Sequence, residues 1–158
     1  MKPSRVVLLS FLLLCAFACV CGARLAAQAP KALLLFGGED HKTFLGCLNC
    51  VDTSPLSVCN DIAKYGSDIS ADSIWNDIGT YGSDISKYSP WNDLSQNAPI
   101  IVDKDGNSYG YFSTNDMHKD RTRIPWLVSV LDYYGKTNNL DKTRKKMCGI
   151  SDDDDDDN

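Results

Sequence analysis

The chain has 158 residues, a formal net charge of −5 and a hydrophobic content of 43%. A net negative charge argues against binding to polyanions such as DNA, RNA or heparin. The sequence contains two histidines and lacks the Gly-x-Ser-x-Gly, His-Glu-x-x-His and phosphate-loop patterns of common enzymes. We therefore predict a protein that is not an enzyme and binds no nucleic acid. A hydrolase that uses a pair of carboxylates is the alternative, because such pairs are not visible in sequence.

Residues 1–23 are predicted to form a secretory signal peptide. Lys2 and Arg5 supply positive charge, an apolar run extends from Val6 to Val20, and small residues at 21–23 suit cleavage. The run is shorter than the roughly 20 apolar residues of a spanning helix, so we predict no membrane span after cleavage. An uncleaved anchor is the alternative. The mature protein is expected to be secreted, either extracellular or periplasmic.

The rest of the chain is predicted to contain one domain. Residues 24–42 are assigned to an N-terminal linker with a short strand, 43–150 to a single repeat-containing domain, and 151–158 to an acidic tail. Six consecutive aspartates in the tail repel one another, which predicts disorder. The tail is expected to keep the protein soluble, and capture of calcium or a mineral surface is the alternative.

Removal of the signal peptide leaves four cysteines, and an even number in an exported protein predicts disulfides. They are Cys47, Cys50, Cys59 and Cys148. The sequence does not choose among the three pairings. The Cys-x-x-Cys spacing of the first two also suits a zinc site or a redox-active pair, and both stay open. A paired Cys148 would join the C-terminal segment to the repeats.

Three copies of a 16-residue unit occupy the middle of the chain, at 49–64, 65–80 and 81–94. A fixed period indicates one small unit stacked on copies of itself. Each copy contains Ser-x-(Cys or Trp)-Asn, which is typical of a helix start, and a Tyr-Gly pair that suits a turn follows the first two copies. Each unit is therefore predicted to be a short helical turn followed by an extended piece. Cysteine in place of tryptophan marks the first copy as a cap.

Two columns of the repeat are candidate functional residues. Trp75 and Trp91 are predicted to pack in the core, and an aromatic platform that stacks on sugars is the alternative. An aspartate followed by an aliphatic residue recurs at steps of seven and nine residues. The aliphatic side chains are expected to point inward, which leaves the aspartates around the outside as a candidate calcium site. These aspartates are Asp61, Asp68, Asp77, Asp84 and Asp93.

A β-hairpin is predicted after the repeats, because strand-forming residues at 99–102 and 108–112 flank an Asp-Gly turn. The turn also resembles part of a calcium loop, and the hairpin is the simpler interpretation.

A helix is predicted over 122–134, with Pro125 in its first turn and Gly135 at its end. Trp126 is expected to anchor this helix against the hairpin. A second, shorter helix is predicted to begin at Asp141. The apolar face of the first helix is expected to comprise Leu127, Val128, Leu131 and Tyr134.

The segments 44–50, 57–70, 73–93 and 99–115 resemble a largely uncharacterised family of small secreted bacterial proteins. The shared patterns are Tyr-Gly-Ser-x-(Tyr/Phe)-Ser-Ser-x-Ser-Ile-(Trp/Cys)-Asn and Pro-x-Ile-Val-Asp…Gly-Asn-x-Tyr-Gly-Tyr-Phe. Where relatives often have a charged residue and an aromatic, this chain has Asp-Ile or Asp-Leu. The resemblance implies export and a repeat scaffold, and it implies no activity.

These features together predict an α+β fold in which the short repeats pack with a β-hairpin and a C-terminal helix. We predict a secreted, non-enzymatic repeat domain for interaction with an extracellular or cell-surface partner, or for envelope structure. The alternatives are a calcium- or mineral-binding secreted protein and the carboxylate-based hydrolase. No cofactor other than calcium is expected.

Overall fold

The computed structural model describes residues 30–151, so the predicted signal peptide and the aspartates of the tail lie outside the described residues. Six elements confirm the predicted α+β class, and no helix among them is long and apolar enough to cross a bilayer. The elements are β1 (Leu34–Gly37), β2 (Thr43–Cys47), β3 (Ile100–Val102), β4 (Ser108–Tyr111), α1 (Pro125–Thr137) and α2 (Leu140–Cys148).

The four strands form one antiparallel sheet in the order β2-β1-β3-β4. β1 is an inner strand that pairs with β2 on one side and β3 on the other, and its Leu35 is completely buried. The compact unit begins at Lys31, and it includes the short strand that was predicted within residues 24–42. A four-residue apolar run does not reveal by itself how many neighbours a strand will have.

The predicted hairpin and helices are present with shifted ends. β3 pairs with β4 around a turn in which Gly106 has a φ of 83°. α1 has Pro125 at its start and continues past Gly135, because Asn138 supplies the left-handed residue that ends the helix. α2 begins one residue before Asp141, and the side chain of Asn139 caps it by accepting the N–H of Lys142.

The segment between β2 and β3, residues 48–99, forms no helix and adds no strand to the sheet; it consists of consecutive turns. A serine or asparagine stands at every third position from Ser67 to Asn76. Ser73 shows the local pattern, because its hydroxyl accepts the N–H of Trp75 at 3.1 Å. Such side chains compete with helical hydrogen bonds and favour turns. The predicted helical turn with an extended piece is therefore replaced by a series of turns.

The turns stack through contacts that recur every 16 residues. The indole Nε1 of Trp75 donates to the carbonyl oxygen of Val58 at 2.6 Å, and that of Trp91 donates to Ile74 at 2.6 Å. The two indole rings are stacked with their centroids 5.4 Å apart. Side-chain amides of equivalent asparagines also donate to the carbonyl six residues earlier, at 3.2 Å in each case: Asn60 to Ser54, Asn76 to Ser70 and Asn92 to Ser86.

Glycine is required where each unit closes. A Cβ on Gly66 would overlap the backbone carbonyl of Asn60, and a Cβ on Gly82 would overlap that of Asn76. Because the obstacle is backbone, a side chain at either position would force the turns apart. The Tyr-Gly pairs of the sequence therefore mark a close approach of the chain to itself.

The core lies where the repeats meet the hairpin and α1. Trp91 is 2% exposed, and its ring centroid lies 5.6 Å from that of Phe112 and 4.9 Å from that of Tyr134. Trp126 is 39% exposed and does not belong to this core; the aromatic ring that α1 contributes to it is Tyr134, which contacts Trp91 of the third repeat. The buried face of α1 consists of Leu127, Val130, Leu131 and Tyr134, with Val130 in place of the predicted Val128.

Candidate functional site

The aliphatic residues that follow the repeat aspartates are exposed, so the prediction that they point inward is wrong. Their side chains are 80–93% exposed, and all five aspartates beside them are exposed too. In the second unit, for example, Ile74 and Trp75 are buried, while Asp77 and Ile78 in the following turn are exposed. We call the outer residues the Asp–aliphatic ladder; it comprises Asp61-Ile62, Asp68-Ile69, Asp77-Ile78, Asp84-Ile85 and Asp93-Leu94.

A further rung, which the sequence reasoning missed, follows the hairpin. Met117 is 87% exposed, and the side chain of Asn115 accepts its N–H at 3.0 Å, just as Asn92 accepts the N–H of Leu94 at 2.9 Å. The backbone N–H of Thr114 donates to the carbonyl oxygen of Pro90. Pro90 lies one 16-residue unit after Ile74, whose carbonyl oxygen accepts from Trp91. The sequence pattern that indicates this additional pair is an Asn-Asp-apolar triplet, which recurs at 60–62, 76–78, 92–94 and 115–117.

The ladder borders two grooves, one lined by the α1–α2 connection and the other by α2. One has a volume of about 690 Å³ and the other about 720 Å³, and Asp141 lines both. The larger groove contains Ile62 and Arg144, whose buried Nε and Nη2 atoms have no hydrogen-bond partner among the described residues. Ladder residues in the smaller groove are Asp68, Ile69, Asp77, Ile78 and Asp84. The grooves therefore combine carboxylates with exposed aliphatic surface.

The ladder aspartates lie along the surface and do not converge on one point. Within residues 30–151, no three histidine, cysteine, aspartate or glutamate side chains are grouped closely enough to hold a metal ion. Calcium binding stays a prediction, with calorimetry on full-length and tail-deleted protein as its measurement.

The hairpin turn that resembles a calcium loop holds a lysine ammonium between its carboxylates. The Nζ atom of Lys31 lies 3.0 Å from Asp103 and 2.9 Å from Asp105. Asp103 is buried, and it also accepts hydrogen bonds from Asn107 and the hydroxyl of Tyr109. The Asn107 side chain foremost, with help from Lys31 and Tyr109, holds the pKa of Asp103 far below its usual range. The turn is thus an internal ion-pair network that closes the hairpin.

Replacement of Asp103 by asparagine is expected to destabilise the protein most at neutral pH. Because the folded-state pKa of Asp103 is lowered, its contribution is complete above the unfolded value of about 3.9 and is lost as the pH falls further. The stability difference between wild type and D103N should therefore narrow below about pH 4. Urea unfolding at a series of pH values measures it, and a difference that stays constant or widens would contradict the network.

The structure shows how the four cysteines pair and whether the two repeat tryptophans are buried. Cys47 is bonded to Cys50, and Cys59 to Cys148, so disulfides are confirmed and no thiol among these four is left to bind zinc. Trp75 and Trp91 are buried, as predicted for core residues. A platform that stacks on sugars needs an exposed ring face, so that alternative is wrong.

The rings of both histidines contact the ring of Tyr111. Their ring centroids are 5.4 Å and 4.3 Å from that of Tyr111, for His41 and His118 respectively. The Nε2 atom of His41 lies 3.1 Å from the carbonyl oxygen of Ala98, and that of His118 lies 3.3 Å from that of Gln96. His41 thus links the β1–β2 turn, and His118 the loop between β4 and α1, to the segment that precedes β3.

Comparison with protein-family models, curated proteins and solved structures gave no match to this chain. Functional inference therefore rests on the chemistry of the described surface. The ladder is its most distinctive feature, because it places large apolar side chains in solvent at regular intervals.

Proposed function

We propose that the chain is a secreted, non-enzymatic interaction domain that binds an extracellular or cell-surface partner through the Asp–aliphatic ladder. The observation that carries this proposal is the 80–93% exposure of five aliphatic side chains, which occupy two repeated positions of the 16-residue unit. Single exposed aliphatic residues are ordinary on protein surfaces, whereas grouped ones mark interaction sites. Burial of each such side chain against a partner stabilises a complex by about 1.5–3 kcal/mol before the costs of association.

The aspartates of the ladder explain how such a surface stays in solution. Each exposed aliphatic side chain has an exposed carboxylate as its chain neighbour. Two ladders brought face to face would oppose like charges, which disfavours self-association through this surface. The arrangement therefore suits a partner that is not another copy of the ladder.

The scaffold beneath the ladder supports binding without rearrangement. The ladder residues lie between turns that are fixed by Ser and Asn side chains, and the turns stack through the hydrogen bonds of Trp75 and Trp91. A surface held in place before binding loses little conformational freedom in the complex. The predicted signal peptide and the two disulfides support an oxidising, extracytoplasmic location.

Substitution of ladder residues tests the proposal. The variant I62S/I78S/L94S is expected to bind the surface of the producing cells at least about tenfold more weakly than wild type, because it loses the apolar contacts of one column. Binding of fluorescently labelled protein is measured by flow cytometry. Stability should change by no more than about 0.5 kcal/mol for each substitution, since the positions are exposed.

The matched control is V51S/L56S, which removes exposed aliphatic side chains that lie outside the ladder and line neither groove. The proposal predicts that this control binds like wild type. It is overturned if the ladder variant also binds like wild type. It is equally overturned if purified wild type hydrolyses glycans or peptides and loses that activity on substitution of a single aspartate or histidine.

A further inference from the structure

Resting on the proposed function, we infer that the partner presents a basic amphipathic helix, with lysine or arginine and apolar side chains on the face that contacts the ladder. The helix would lie along the ladder over the smaller groove. Three properties of the described residues lead to this chemistry: the charge of the groove, the spacing of the stacked tryptophans and the apolar content of the groove.

The charge of the groove selects a cationic partner. The residues that line the smaller groove include Asp68, Asp77, Asp84 and Asp141, and among these described lining residues there is no lysine, arginine or histidine. Anionic partners, such as nucleic acids, anionic membranes or a second ladder, would be repelled. Ammonium or guanidinium groups would instead find a carboxylate at each successive rung.

The spacing of the stacked indole rings is close to the pitch of an α-helix. The ring centroids of Trp75 and Trp91, which are equivalent residues of adjacent units, lie 5.4 Å apart, and the same 2.6 Å hydrogen bond recurs in both units. An α-helix also rises about 5.4 Å per turn, so residues one turn apart would meet equivalent ladder residues of adjacent units. Side chains on one face of a β-strand repeat about every 6.6–6.8 Å and would drift out of register.

Because the groove also contains exposed apolar side chains, a complementary partner needs apolar side chains as well as positive charge. Ile69 and Ile78 line it together with the aspartates, and one column of the ladder comprises four exposed side chains: Ile62, Ile78, Leu94 and Met117. A partner with lysines alone would leave these side chains in water. About four helical turns, or roughly 15 residues, would cover the four side chains of this column.

A pair of synthetic peptides tests the inference on the full mature chain. The probe is a peptide of about 15 leucine and lysine residues with leucine at helical spacing, and its control has the same composition in strict alternation. Titration calorimetry measures the affinities. The helical isomer is expected to bind at least about tenfold more tightly than the alternating isomer.

Variants of the chain test where the helical isomer binds. D68N/D77N is expected to weaken binding about tenfold and to reduce its dependence on salt. I69S/I78S is expected to weaken binding by a similar factor. The matched control D40N/D120N removes the same number of exposed carboxylates away from the groove and should bind the peptide like wild type.

Four results would overturn the inference: no binding of the helical isomer up to about 1 mM, equal affinity for both isomers, equal affinity for a leucine–glutamate helix, or equal weakening by D40N/D120N. Failure here is separable from failure of the proposed function. Cell-surface binding that depends on the ladder, together with no peptide binding, rejects the helical partner alone. If the ladder variants lose neither cell-surface binding nor peptide binding, both the proposed function and the helical partner are rejected.

Discussion

Removal of the Cys59–Cys148 disulfide, in the variant C59A/C148A, is expected to lower the free energy of unfolding by about 2–5 kcal/mol. The two cysteines are 89 residues apart in sequence, so the bond restricts most of the unfolded chain. In the folded protein it joins the end of α2 to the first repeat unit, which lacks the tryptophan of the later units. Urea unfolding of the variant and wild type measures the loss.

The second disulfide provides the matched control. Cys47 and Cys50 are three residues apart, so their bond closes a small loop and restricts little of the unfolded chain. C47A/C50A is therefore expected to lose clearly less stability than C59A/C148A. Equal losses in the two variants would contradict the role assigned to the long loop.

Replacement of Trp91 by alanine is expected to cost about 3–5 kcal/mol of unfolding free energy, the range for deletion of a large buried aromatic. The indole is 2% exposed and contacts the rings of Trp75, Phe112 and Tyr134. Its loss would open a cavity at the junction of the repeats, the hairpin and α1. It would also leave the carbonyl of Ile74 without its 2.6 Å hydrogen bond.

Two further variants separate the ring from the hydrogen bond. W91F keeps an aromatic side chain and removes the Nε1 donor, so it should lower the free energy of unfolding by less than W91A does. W126A removes an indole that is 39% exposed and is expected to cost less than about 1 kcal/mol. Chemical denaturation followed by circular dichroism measures all three. A W91A loss no larger than that of W126A would show that Trp91 does not organise the core.

Local sequence signals predicted the elements whose structure is decided locally. The Asp-Gly turn gave the hairpin, and Pro125 gave the start of α1. Disulfide bonding followed from the even number of cysteines, but the pairing of Cys59 with Cys148 depends on tertiary structure and had to be observed. For the same reason, the inner position of β1 was not predictable from its four residues.

The orientation of the ladder was predicted wrongly because apolar residues were assumed to point inward. A three-residue spacing of Ser67, Ser70, Ser73 and Asn76 indicates turns, and it is visible in the sequence. Each turn has one outward side, and the buried places were already occupied by Ile74 and Trp75. The exposed aliphatic residues are therefore a departure from the usual core pattern, and such departures are expected at functional sites.

Within each repeat, the residues that stabilise the turns differ from those that form the surface, and this separation affects which mutations the protein can tolerate. Ser73, Trp75 and Gly82 hold the turns together, whereas Asp77 and Ile78 contact mainly solvent. Mutations at the outer pairs therefore carry little penalty for folding, while they change the chemistry of the surface directly. A library randomised only at those pairs should retain the fold across most of its members, and each added unit would contribute independent positions on which selection could act.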